Sequence, residues 1–117
     1  MSAKPKATET ALDAVSAERT RQHSLLAQGK FPDYWKEGVS DWERLTVLAE
    51  EFGEVSKEVC DEMHCAIRDW PGESPEMIAT HKARVMKRLK GLIREELVQV
   101  AAVCVAWIES LDLELSK

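Results

Sequence analysis

No uninterrupted apolar segment of this chain reaches the roughly 18–20 residues that a membrane-crossing helix requires. The opening stretch, Met1 to Thr10, is polar where a secretory leader would be apolar. No membrane partner is therefore expected, and the expected location is cytoplasmic. Cysteine is scarce: Cys60, Cys65 and Cys104 are odd in number and fall inside helical patterns, which fits reduced thiols rather than a disulfide framework. Aromatic residues are few, with a single Tyr, and the periodic stretches are helical rather than alternating, so no strand is expected. A basic excess is missing as well. The formal net charge of -5 argues against nucleic acid as a partner, because phosphate backbones call for a basic face. Free nucleotides held through a metal are compatible with that sign. What is plentiful is Ala, Leu, Glu, Lys and Val at three-and-four spacing, the composition of an all-α helical bundle. The 117 residues are expected to form a flexible tail over 1–7 and one domain over 8–117. A domain of that size gains from oligomerisation, which buries further apolar surface.

A first helix is predicted from Thr8 to about Gln28, stopped by Gly29. Its middle, Glu18-Arg19-Thr20-Arg21-Gln22-His23, puts polar groups where a bundle helix would continue its apolar stripe, so it lines a polar cavity or forms a solvated face. Residues 30–39 read as a loop punctuated by Pro32 and Gly38. Its Tyr34 and Trp35 either stack on a base or cover the end of the bundle. Ser40-Asp41-Trp42-Glu43 has the capping-box pattern and opens a second helix that runs to about Asp69, closed by Trp70-Pro71-Gly72. Ser74-Pro75-Glu76 opens a third, Met77 to Leu113. It reads as one helix because its apolar phase passes Gly91 unbroken, from Val85 through Leu92 to Val103. Its first half is basic, with His81, Lys82, Arg84, Lys87, Arg88, Lys90 and Arg94, which makes a solvated face or a contact for phosphates.

Two acidic elements sit inside these apolar helices. Leu45, Leu48, Phe52, Val55, Val59 and Met63 are expected to form the packed face of the second helix. Glu51 and Glu54 then lie along its edge, three residues apart and able to converge on one cation. In the third helix Glu96 and Gln99 fall on the stripe of Val85, Leu89, Leu92, Val103 and Trp107, positions that otherwise belong to a packed interface. A lone buried carboxylate is costly unless paired, hydrogen-bonded or bound to a cation, so this placement calls for a partner. A divalent metal shared with Glu51 and Glu54 supplies one. A competing metal site would use Cys60, Asp61, His64 and Cys65, of which Cys60 and His64 have the i,i+4 spacing that suits zinc, although His23 and His81 have no matching ligand spacing.

The ordered set of motifs resembles the MazG-like group of all-α nucleoside triphosphate pyrophosphatases, which carries E-E-x-x-E on one helix and E-x-x-D on a later one. Here the corresponding residues are Glu50-Glu51-Phe52-Gly53-Glu54 and Glu96-Leu97-Val98-Gln99. Leu48 to Val55 is similar to the group's first block, and Arg94 to Ala102 with Ala106-Trp107-Ile108-Glu109 to the second block of members common in bacteriophage and prophage genomes. Glu18-Arg19 and Arg21-Gln22 resemble their opening E-R-x-R-Q, so the likeness spans most of residues 16–111. It implies a helical bundle completed as a homodimer or homotetramer, with Mg²⁺, or Mn²⁺ in its place, held by Glu51, Glu54 and Glu96. Gln99 takes the fourth ligand position, and Glu50 supports the site or acts as base. It further implies Arg19, Gln22, Trp35 and Lys57 as substrate-binding residues, and hydrolysis of (d)NTP to (d)NMP and pyrophosphate by water attack at the α-phosphate. Two departures stand out: Gln99 replaces the usual Asp, and the gap over residues 55–95 is longer than is typical of the group. The alternative of the same fold is a weak or inactive nucleotide-binding bundle with a partner-binding role.

Overall fold

The computed structural model describes residues 4–70, 72 and 74–117. Three helices follow one another, α1 (Lys6–Ala27), α2 (Asp41–Ile67) and α3 (Pro75–Leu115), and there is no strand among the described residues. Each boundary has a local cause. α1 ends in a Schellman arrangement in which Gly29, at φ 68°, lets its own N–H reach the Leu26 carbonyl and that of Lys30 the Leu25 carbonyl. α2 starts from a complete capping box between Ser40 and Glu43. Ser74 caps α3 at Met77 N–H, with Pro75 in the first turn, where its missing N–H costs nothing. As the unbroken phase predicts, α3 passes through Gly91 as one helix of 41 residues. α1 starts at Lys6, two residues earlier than expected. Met1 to Ala3 of the expected tail lie outside the described residues, as do Pro71 and Glu73 of the turn before α3.

α3 is the spine on which both other helices pack, and α1 and α2 do not pack on each other. α2 runs antiparallel to α3, with Arg44 bonded to Glu114 at one end, and Lys90 to Glu62 and Lys82 to the Ala66 carbonyl toward the other. α1 lies alongside the C-terminal half of α3, held by Arg19 against Glu109. The buried apolar residues Val55, Cys65, Ala102, Val103 and Ala106 are few and small. They fill the seams of α3 rather than a central core.

The packed face of α2 is not the one its large apolar residues suggest. Leu45, Phe52, Val59 and Met63 are exposed, at 48, 63, 47 and 54 %. Of the expected stripe only Leu48 and Val55 turn inward, beside Arg44, Val47, Glu51, Glu58, Glu62 and Cys65. The rotation follows from the polar ties just named, together with Trp107 Nε1 donating to Asp41 at 2.9 Å, all of which lie on one seam of α2. Arg44, Glu51, Glu58 and Cys65 recur every seven residues, the repeat of a two-helix seam. Among the described residues α2 has no second helix to cover its outer stripe.

The molecule is consequently long and open, 65 × 37 × 24 Å with a radius of gyration of 18.9 Å. A compact domain of this length would have about 13 Å. Its accessible surface, 8624 Å², exceeds by roughly 2,200 Å² what a compact monomer of its mass shows. No helix among the described residues is long and apolar enough to cross a membrane.

Candidate functional site

All three helices and the loop before α2 converge on a cavity of about 300 Å³. α1 contributes Glu18, Arg21 and Gln22; the loop contributes Phe31, Pro32, Tyr34 and Trp35; α2 contributes Val47, Glu50 and Glu51; α3 contributes Gln99 and Val103. One wall is therefore aromatic and apolar and another is acidic, a combination suited to a small ligand with a flat ring and a polar tail. Of the two readings of Glu18 to His23, the structure selects the polar cavity for Glu18, Arg21 and Gln22. Arg21 grips Glu18 through three contacts of 2.6–3.1 Å. Glu18, Arg21 and Gln99 also border a second, more open hollow, with Arg94 and Glu95 on its far side.

The acidic wall continues along the α2–α3 seam toward the hairpin end. Glu51 and Glu96 each hold one buried carboxylate oxygen, Oε2, with no hydrogen-bond partner. Burial raises the Glu51 carboxyl above its ordinary value, and the charges of Glu96, Glu54, Glu18 and Glu50 push it further. Glu96 is raised by burial first, then by Glu54, Glu58 and Glu95, with Lys57 acting the other way. Repulsion between two charges is mutual, so the pressure of Glu96 on Glu51 acts equally in return. These carboxylates have no protein donor, and such oxygens suit a divalent cation, which accepts oxygen ligands from the protein together with water and phosphate. Among the described residues no three His, Cys, Asp or Glu side chains are grouped closely enough to hold a metal by themselves. That statement covers Cys60 and His64 too; Cys60 is exposed, Cys65 buried and Cys104 half-buried, all as free thiols.

The residues singled out by motif thus divide. Glu50, Glu51, Gln99, Gln22 and Trp35 line the cavity. Glu96 faces the seam beside it, while Glu54 is exposed at its edge. Lys57 is exposed too, 3.8 Å from Glu58 and 3.7 Å from Asp61. Arg19 lies outside the cavity wall. It is 7 % exposed, and its guanidinium donates to Glu109 at 2.8 Å and to Gln22 at 2.9 Å, which orients Gln22 at the cavity. Glu58 and Glu62, the latter also with an unpartnered buried oxygen, stand on the same inner seam. The motif does not mark them, although their spacing from Glu51 and Val55 would have.

No family model, no curated protein and no solved structure matches this chain.

Proposed function

We propose that this chain is a metal-dependent nucleoside triphosphate pyrophosphohydrolase, a hydrolase that converts (d)NTP to (d)NMP and pyrophosphate and works as a homodimer or homotetramer in the cytoplasm. The observation that carries the reading is the pair of unpartnered carboxylate oxygens on Glu51 and Glu96, on facing helices, beside a cavity with an aromatic wall. A protein that only folded would gain by replacing such carboxylates, because unpaired buried charge opposes stability.

Phe31, Tyr34 and Trp35 offer π faces to a base, and Gln22, held by Arg19, offers an amide to its edge or to the sugar. Glu51 and Glu96, with Glu54 at the rim and Gln99 opposite, would hold Mg²⁺ or Mn²⁺. Such an ion, when bound, neutralises the triphosphate and acidifies an attacking water. Glu50 lines the cavity beside Glu51, and in this reading it would accept the proton of the attacking water. Arg94 borders the hollow beyond Gln99, where it would offer a guanidinium to the leaving pyrophosphate, while Arg21 there is already paired with Glu18. Lys57, whose charge favours the ionised form of Glu96, would offer a cation on the α2 side of the seam. The exposed stripe of Leu45, Phe52, Val59, Met63 and Ile67 on α2, with the excess surface, supports a second copy as the partner that covers it.

Pyrophosphate release is the direct test. The common ribo- and deoxynucleoside triphosphates are incubated with the protein and Mg²⁺ or Mn²⁺, and Glu51→Gln and Glu96→Gln are expected to abolish release while keeping the helical circular dichroism. Release of orthophosphate instead, or undiminished release by both variants, would refute the reading. Tight triphosphate binding without turnover would favour the inactive nucleotide-binding bundle.

A further inference from the structure

The aromatic loop that walls the cavity is held from beneath by one buried cation. Arg44 is 1 % exposed, the most completely buried large side chain among the described residues. A guanidinium there needs its donors satisfied, and two of its three nitrogens are spent on the loop. Nε donates to the Tyr34 carbonyl at 3.1 Å, Nη2 to the Lys36 carbonyl at 3.3 Å, and Nη1 to Glu114 at 2.9 Å, with Asp41 at 3.5 Å. The carbonyl between those two, of Trp35, is taken by Ser110, whose hydroxyl lies 2.9 Å from it and 3.1 Å from the carbonyl of Ala106. Three consecutive backbone carbonyls, 34 to 36, are thus bonded to two buried side chains.

The support is a continuous stripe at the end of α3. Trp107, Ser110, Glu114 and Lys117 follow at three-and-four spacing, and each reaches the loop or the start of α2: Trp107 to Asp41, Ser110 to Trp35, Glu114 to Arg44, Lys117 to Glu37 at 2.7 Å. A loop carries its own side chains wherever its backbone is fixed. With carbonyls 34 to 36 pinned, Tyr34 and Trp35 stand at the cavity, and so does Phe31 a few residues before them.

We infer that Arg44, with Ser110, is a positioning residue for ligand binding: it presets the aromatic wall of the cavity by holding the loop backbone, without touching the ligand itself. This rests on the cavity being the nucleoside site. A loop already in place pays no ordering cost when a ring is inserted against it, so the effect belongs in affinity rather than in turnover. The fork geometry is essential, since a lysine at 44 keeps the charge but cannot reach two carbonyls and a carboxylate at once.

The test uses Arg44→Lys and Ser110→Ala in the full chain, with hydrogen exchange of residues 30–39 and steady-state pyrophosphate release from each common triphosphate as readouts. Ser110→Ala removes one hydrogen bond and one oxygen, so it keeps the question open to refutation if Arg44→Lys does not fold. Expected are faster exchange in 30–39 with α3 unchanged, and a KM raised about fivefold in Ser110→Ala and about tenfold in Arg44→Lys, at nearly constant kcat. Loop exchange unchanged in folded variants would overturn the inference, as would a loosened loop with unaltered KM, or a fall in kcat alone. A wild-type protein that neither binds nor hydrolyses any of these triphosphates would refute the function instead. The exchange readout would even then decide whether Arg44 and Ser110 hold the wall.

Discussion

Replacing Glu51 by Gln is expected to stabilise the metal-free protein while destroying its response to Mg²⁺. The carboxylate has one buried oxygen without a donor and stands within reach of the charges of Glu96, Glu54, Glu18 and Glu50. Gln keeps a polar group at that place, so what it relieves is the charge: the added cost of an ionised over a neutral unsatisfied group and the repulsion of its neighbours, about 1–2 kcal/mol for a half-buried side chain. The unfolding entropy of a chain this size is roughly 0.25 kcal/mol/K, so relief of about 1–2 kcal/mol raises Tm by about 4–8 °C. The sign with pH follows from the raised carboxyl. Below pH 4.5, the ordinary value, Glu51 is protonated in both the folded and the unfolded chain and resembles Gln. As pH rises through that value the unfolded chain ionises first, and the penalty on the folded state grows until pH passes the raised folded value. The Tm gap between variant and wild type, measured in EDTA by circular dichroism, should therefore open as pH rises from 4.5 and stay open at pH 7. Glu96→Gln should do the same, and the double variant should gain less than both singles added, because each removes the repulsion that the other also removes. Lower or equal stability of Glu51→Gln at pH 7 in EDTA would show that the carboxylate is satisfied in the folded chain, and the cation-site reasoning would be wrong.

Glu109 should behave in the opposite sense: the hydrogen bond and charge of Arg19 hold its carboxyl below the ordinary value, so its stabilisation is present above pH 4.5 and fades as pH falls through the lowered folded value. Glu109→Gln should cost about 1 kcal/mol at neutral pH, discounted because the carboxylate is half exposed, and nothing once that range has been passed; denaturant melts at two pH values would show it. Phe52→Glu, on the exposed stripe of α2, should shift the protein toward monomer in light scattering, whereas an unchanged mass would place the interface elsewhere. Gln99→Asp should tighten Mg²⁺ binding in the absence of nucleotide, by calorimetry, since a neutral amide oxygen adds no charge toward a dication. Unaltered affinity in the folded variant would remove Gln99 from the site.

Local chemistry was legible in the residues, and the choice of face was not. Ser40 with Glu43, Gly29, and Ser74 with Pro75 mark helix ends because their partners lie within a few residues. The third helix's stripe through Glu96 and Gln99 was legible too, since that helix has neighbours along its length. α2 misleads because hydrophobicity predicts burial only when something is there to bury against. Its bulky apolar side chains Phe52 and Met63 face away from α3, while Arg44, Glu51 and Glu58 face it. Arg44 was unreadable for a different reason. Half of its acceptors are loop carbonyls, and backbone oxygens leave no trace in a sequence.

The placement of α1 has a consequence for how the cavity is entered. α1 starts without a side-chain cap, does not pack on α2, and is tied to α3 by Arg19 and the groups around it. It nevertheless supplies Glu18, Arg21 and Gln22 to the cavity wall. The cavity therefore exists only while this helix is docked, and its undocking would open a route inward without disturbing the α2–α3 pair. A ligand bound only in the docked state would act as a clamp on the least secured element of the chain, adding about 2.7 kcal/mol to its docking at a hundredfold excess over Kd. Occupancy and the attachment of α1 would then be two readings of one equilibrium.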